Sequence, residues 1–218
     1  MIICLPGVLA DVPALLLLYG QVVSGTQWLA HCQCPPCNGC DHSSRSCLLS
    51  CVERTAAALE AVLVRNLATD AGPPLNAFQQ LNPYALEQAA AFDRARAAGR
   101  PIGPLGCLPV ALKDNVASFD QPMTAGSLAL LGNQPDRDAD AVARLRAAGA
   151  IVIGKTTMDE FAFGIRGLSG AAGRVGNAYN PWLSPGGSSS GSAVAVAAGF
   201  VELALGSDNC GSLRLPAV

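Results

Sequence analysis

The chain has 218 residues, 50% of them hydrophobic, and a formal net charge of −2 from 14 basic and 16 acidic side chains. That is apolar material enough to bury one sizeable core, and too much for a disordered segment. The charge balance supplies no basic face with which to grip nucleic acid, so no direct nucleic-acid partner is expected.

Charge and cysteine are unevenly spread. Residues 1–50 hold only Asp11, Asp41 and Arg45 as charges, yet six of the nine cysteines. The opening run "MIICLPGVLADVPALLLLYGQVVSG" has no Lys or Arg ahead of its apolar stretch, and Asp11 and two prolines interrupt it. It fits neither a secretory leader nor a membrane span, so a cytoplasmic chain without membrane association is expected. "HCQCPPCNGCDHSSRSC" follows, with Cys34, Cys37 and Cys40 spaced by two residues and flanked by His31 and His42. Thiolates so spaced can grip one zinc, but a structural site needs a second pair, and Cys47 and Cys51 are a loose one. No metal and no cofactor are expected. The composition break marks residues 1–50 as a Cys-rich segment apart from a domain at 51–218.

From residue 51 the pattern is regular. "CVERTAAALEAVLVRNL" places Val52, Ala56, Leu59 and Leu63 at helical spacing. In "NPYALEQAAAFDRARAAGRP", Asn82 suits the N-cap, Pro83 the first helical position and Gly99 the stop. "LPVALKDN" reads as a buried strand. A helix follows from about Asp140, ending at Gly149, and then a buried strand, Ala150 to Ile153. "GSAVAVAAGF" reads as an alanine-rich helix and "VELALGSD" as a further strand. Helix, glycine and apolar strand recur, which predicts an α/β fold: a mixed β-sheet covered by helices on both faces.

Three stretches invite chemistry. "GAIVIGKT", residues 149–156, matches the phosphate-loop pattern, but its variable positions Ala150, Ile151, Val152 and Ile153 form a core strand rather than a loop. Nucleotide binding is therefore a distant alternative. No histidine follows His42, so a serine nucleophile in this domain must find another base. Lysine serves when burial lowers its pKa, and the chain has two, Lys113 and Lys155, each ending an apolar run where a solvated charge would be the ordinary reading. Serines concentrate in "SPGGSSSGSAVAVAAG", residues 184–199, and Ser212 lies in "GSDNCGSLRLPA", a turn able to aim successive N–H groups at an anion. The first could be a flexible linker and the second an ordinary turn.

With "GPLGCLPVALKDN", "AGAIVIGKTTMDEFAFG", "NAYNPWLSPGGSSSGSAVAVAAG" and "LALGSDNCGSLRLPA" in that order, residues 75–218 resemble the amidase signature family. The resemblance implies a Ser-Ser-Lys triad that hydrolyses linear amides. Lys113 would be the base, Ser188 the bridging serine after a cis peptide bond, and Ser212 the nucleophile. Backbone N–H groups of Asn209, Cys210, Gly211 and Ser212 would hold the oxyanion, with Lys155, Ser189 and Ser190 in supporting roles. The family usually has glycine where this chain has Cys107 and Cys210, and it continues well past "RLPA". The chain therefore reads as the N-terminal part of an amidase domain acting on a small-molecule amide, with a homo-oligomer or a complementing chain as possible partners. The alternatives are an inactive remnant and a fragment like the A component of an amidotransferase.

Overall fold

The chain folds around a five-stranded sheet whose three central strands are parallel. The structure, a computed structural model, describes residues 2–4 and 49–218. The remainder of the leader-like run and the His31 to Cys47 cluster lie outside the described residues. Elements in chain order are β1 (Ile2–Cys4), α1 (Cys51–Arg65), β2 (Phe78–Leu81), α2 (Ala85–Ala97), β3 (Pro109–Lys113), α3 (Asp140–Ala147), β4 (Ile151–Thr156), β5 (Leu168–Ser169), β6 (Gly173–Arg174), α4 (Ser190–Ala197) and β7 (Leu203–Leu205). The sheet order is β1-β7-β3-β4-β2, with β1 and β2 antiparallel at the edges, and β5 and β6 form a separate hairpin. A strand of the N-terminal Cys-rich segment thus joins the sheet.

Alternation divides the core. Ala111, Ile151, Ile153 and Ala204 face a layer built from α1, α2 and α4. Val110, Leu112, Val152, Leu203 and Leu205 face α3 through Val142 and Leu145. Parallel central strands buried on both faces need the near-continuous apolar runs seen here.

Local signals place the helices. Ser50 and Glu53 form a capping box, with Glu53 N–H donating to Ser50 Oγ at 3.1 Å and Ser50 N–H to Glu53 Oε2 at 2.7 Å. Asp93 of α2 takes the next two N–H groups of α1, Cys51 at 2.9 Å and Val52 at 3.0 Å, locking the pair together. The start of α2 differs from expectation: the cap is Tyr84, and Asn82 instead accepts from Tyr84 N–H at 2.9 Å in a local turn. Gly99 does end that helix, at φ 68°.

Cys51 and Cys107 are disulfide-bonded across 56 residues, with Cα atoms 5.0 Å apart, tying α1 to the loop that feeds β3. A reducing cytoplasm ordinarily keeps such a pair as thiols. Cys107 sits at φ 63°, the left-handed region that favours glycine, whereas Cys210 has no positive φ.

Every residue of α4 from Ser190 to Val196 is buried, so small side chains are required on all sides. A Cβ on Gly191 would lie 2.5 Å from Thr157 O and 2.6 Å from Thr157 N. Gly→Ala inside a helix ordinarily stabilises by about 1 kcal/mol. Here overpacking reverses the sign, and Gly191→Ala is expected to destabilise by about 1–3 kcal/mol, read as a lower urea midpoint.

Candidate active site

Three chain segments converge at the carboxyl ends of the parallel strands, where open α/β sheets commonly place their sites. The end of β3 supplies Lys113, the approach to α4 supplies Ser188, and the chain leaving β7 supplies Ser207 and the turn that carries Ser212. Lys113 and Ser188 have no solvent exposure. Lys113 Nζ donates to Ser188 Oγ at 2.7 Å and to Ser207 Oγ at 2.9 Å, and Asn115 Nδ2 donates to the same Ser207 hydroxyl at 3.0 Å. The Gly187–Ser188 peptide bond is cis, as the resemblance implied.

Each neighbouring hydroxyl has a distinct task. Ser189 N–H donates to Ser212 O at 2.9 Å, and Ser189 Oγ donates to Ser207 O at 3.1 Å, drawing the post-β7 segment against the serine loop. Ser192 Oγ donates to Leu205 O at 2.8 Å and pairs with Thr156 Oγ1 at 2.7 Å, anchoring α4 to β7 and β4. Ser190 is buried and reaches Thr157 O at 3.4 Å. The serine-rich stretch is a packed junction and not a linker.

Their partners separate the two lysines. Burial pushes the Lys113 amine down from 10.5 to about 8, against the opposing pull of Asp159 and Asp208. Its hydrogen-bond partners are serine oxygens, so no ion pair fixes it in the charged form. Burial also brings Lys155 to about 8, opposed by Asp114. Lys155 Nζ lies 3.6 Å from Asp114 Oδ1 and donates to Val116 O at 2.8 Å and Asp114 O at 3.3 Å, which holds the loop after β3. Neither lysine is the solvated strand-end charge that its position suggested; both have no exposure. A neutral amine hydrogen-bonded to a hydroxyl can take up that hydroxyl's proton, and Lys113 alone is so placed.

The structure brings Lys113 and Ser188 into direct contact and sets Ser212 beside them through its carbonyl. No hydrogen bond joins Ser188 Oγ to Ser212 Oγ among the described residues. Of the four turn N–H groups, Gly211's is already engaged, donating to Asp208 Oδ1 at 2.6 Å. Ser207 and Asp208 escaped the sequence reading. Their only signal was position, directly after an apolar strand and ahead of a Gly-Ser turn.

"GAIVIGKT" lies mostly within β4, and Ala150 and Ile151 N–H donate to Leu145 O and Leu108 O, so this stretch forms no phosphate cradle. Among the described residues no group of three or more His, Cys, Asp or Glu could hold a metal ion, and no helix is long and apolar enough to cross a membrane. A shallow hollow of about 380 Å³ between Tyr84, Gln88, Phe119, Asp120 and Gln134 shares no residue with the serine cluster.

Comparison with known proteins identifies the family and the fold. Over 146 residues the chain is 49% identical to a glutamyl-tRNA(Gln) amidotransferase component, the A-type polypeptide of Rhodopirellula baltica, covering 66% of this chain and 29% of that protein. Its fold matches the native peptide amidase of Stenotrophomonas maltophilia with a TM-score of 0.74 at 44% identity, covering 79% of this chain and 36% of that one. A 6-aminohexanoate cyclic dimer hydrolase complexed with substrate matches with a TM-score of 0.68 at 32% identity, over 79% of this chain and 34% of its own. The chain thus spans about a third of the length of these relatives. The amidase family model matches residues 57–218, and the chain belongs to the amidase family.

Proposed function

We infer that this chain carries the acyl-transfer chemistry of a serine amidase acting on a linear carboxylic amide. The observation that carries the reading is the 2.7 Å hydrogen bond between a fully buried Lys113 amine and Ser188 Oγ. Ser212 Oγ attacks the amide carbonyl. Its proton passes to Ser188, whose own proton goes to Lys113. The oxyanion is received by N–H groups of the 209–212 turn. Lys113, now charged, returns a proton through Ser188 to the leaving nitrogen as the C–N bond breaks. Water then attacks the acyl-Ser212 ester by the same relay, releasing the carboxylic acid and restoring the serine. All electrons and protons are accounted for by substrate, water and these three side chains, so the reading calls for no cofactor. The catalytic groups lie within residues 51–218, and Ser207 keeps the Lys113 amine aimed at Ser188 between turnovers.

A second reading, a catalytic piece that needs a complementing chain, draws on one observation. Phe163, Tyr179, Trp182 and Ile165 are 94%, 88%, 72% and 61% exposed on segments beside the site, an apolar surface that partners commonly cover.

Labelling of the purified chain with a fluorophosphonate probe, read by intact mass, separates these readings. A single adduct is expected, absent in Ser212→Ala and formed about 100-fold more slowly in Lys113→Ala. An adduct retained in Ser212→Ala overturns the assignment of the nucleophile. An adduct found only in an assembled fraction on size exclusion favours the second reading.

The pH dependence follows from the Lys113 amine. Below about 8 it holds its proton and cannot accept another, so labelling is slow; above about 8 it is free to act as base. The labelling rate is therefore expected to rise with pH to a plateau, with a midpoint near 8. A flat profile from pH 6 to 10 would remove Lys113 from the role of base.

A further inference from the structure

Asp208 lies between Ser207, which binds Lys113, and the turn that carries Ser212. Its Oδ1 accepts from Gly211 N–H at 2.6 Å, and its Oδ2 accepts from Leu213 and Arg214 N–H, each at 3.1 Å. Arg214 closes on the same carboxylate with two prongs, Nε to Oδ2 at 3.1 Å and Nη2 to Oδ1 at 3.2 Å. The Asp208 side chain is 7% exposed and that of Arg214 69%. Five donors occupy a carboxylate that offers about four lone-pair sites. Asp208 has no capacity left to move a proton or to meet a substrate. What it can do is impose shape: a seven-residue arc is wound around one anion, with Ser212 held inside it.

We propose that Asp208 is the positioning residue of the nucleophile turn, and that by engaging Gly211 N–H it leaves the oxyanion to the N–H groups of Asn209, Cys210 and Ser212. The proposal rests on the reading of Ser212 as nucleophile. None of these three N–H groups donates to another group among the described residues, whereas Gly211's is committed. Gly211 has φ 118°, a conformation open to glycine and strained for other residues, and this is how the turn brings its N–H back onto the carboxylate. Charge matters as well as shape, because N–H groups bind an ionised carboxylate about twice as strongly as a neutral acceptor. Arg214, being mostly exposed, balances the charge from the solvent side. Cys210 then serves through its main chain, which agrees with its unstrained φ and explains how cysteine is tolerated where the family usually has glycine.

The test compares wild type, Asp208→Asn and Asp208→Ala, each checked for folding by circular dichroism and urea unfolding. Amide hydrogen exchange, read by NMR on ¹⁵N-labelled chain, asks whether the carboxylate holds the turn, and it needs no catalysis. Gly211 N–H is expected to be protected in wild type and unprotected in Asp208→Ala. Fluorophosphonate labelling, counted per folded molecule, asks whether that hold serves the chemistry. The maximal labelling rate is expected to fall about 100-fold in Asp208→Ala, with little change in the probe concentration giving half the maximal rate. Asp208→Asn, which keeps an acceptor but not the charge, should lie between. A merely structural aspartate would lower the urea midpoint and leave the rate per folded molecule unchanged. That result, or faster labelling once Gly211 N–H is freed, overturns the proposal. If Asp208→Ala does not fold, Arg214→Gln decides, because it removes only the exposed prongs. It should keep Gly211 protected and label within a few-fold of wild type, and loss of either transfers the role to Arg214. If wild type takes no label, the amidase reading fails, and an unprotected Gly211 in that chain separately sinks the positioning role.

Discussion

An ammonium group withdrawn from water loses several kcal/mol of hydration unless the protein returns it as charge or hydrogen bonds. Lys113 and Lys155 both face this constraint at zero exposure, and burial brings both to about 8. Their surroundings resolve it in opposite ways. Lys155 is given an anion, Asp114, and two carbonyls, which favour its charged form and pin the loop after β3. Lys113 is given mainly hydroxyls, which serve an amine as well as an ammonium. One lysine is committed to architecture, and the other is left able to exchange a proton. The rest of the site is arranged around that difference.

The arrangement demands close approach of three backbones, and the sequence meets it by deleting side chains. A Cβ on Gly206 would lie 2.8 Å from Ser189 Oγ and 2.5 Å from a Leu213 methyl carbon, and one on Gly187 would press against Asp159 and lie 3.1 Å from Ile165 C. Glycine at these points lets the serine loop and the post-β7 segment meet edge to edge. Asp159 then closes the third side, accepting from Gly167 N–H at 3.0 Å and Leu168 N–H at 3.1 Å while buried against the serine loop. The loop is rigid because its hydroxyls are occupied, which is the opposite of what Gly/Ser composition alone suggests.

Much of this was legible in the sequence. Periodicity located α1 and alanine-rich composition located α4, Gly99 and Gly149 marked helix ends, and motif order named Lys113 and Ser188, which a hydrogen bond joins. What escaped has physical reasons. β2, "FQQL", is an edge strand with only Phe78 buried, so neither alternation nor an apolar run announces it. The sheet register shifts between Val110 and Ala111 opposite β4, which turns Lys155 onto the Leu112 side although Ile151 and Ile153 face the other way. Strict alternation from the sequence puts all three on one face. The Cys51–Cys107 link spans 56 residues, and spacing carries no sign of it. Asp208 and Ser207 act through geometry created only when β7 docks beside β3.

The same geometry divides the labour of the molecule. The reactive floor consists of strand ends, a buried loop and a turn wound on one carboxylate, all of it tied by short hydrogen bonds. The rim is different in kind. Phe161, Phe163, Ile165 and Leu215 stand more than half exposed on the segments flanking Gly187 and Ser212, and Phe161 and Ala162 hold positive φ values of 51° and 58°. Residues of that type at such angles persist where surrounding contacts fix them, and here Phe161 N–H donates to Ala125 O at 2.8 Å and Ala162 N–H to Asp159 O at 2.9 Å. The rim is thus built outward from the same aspartate that packs against the floor. On the proposed reading, proton transfer would tolerate little change in Lys113, Ser188 or the turn, because each bond there depends on another. Exposed apolar rim side chains carry no such dependence, and on the proposed reading substrate preference would vary there without disturbing the residues beneath.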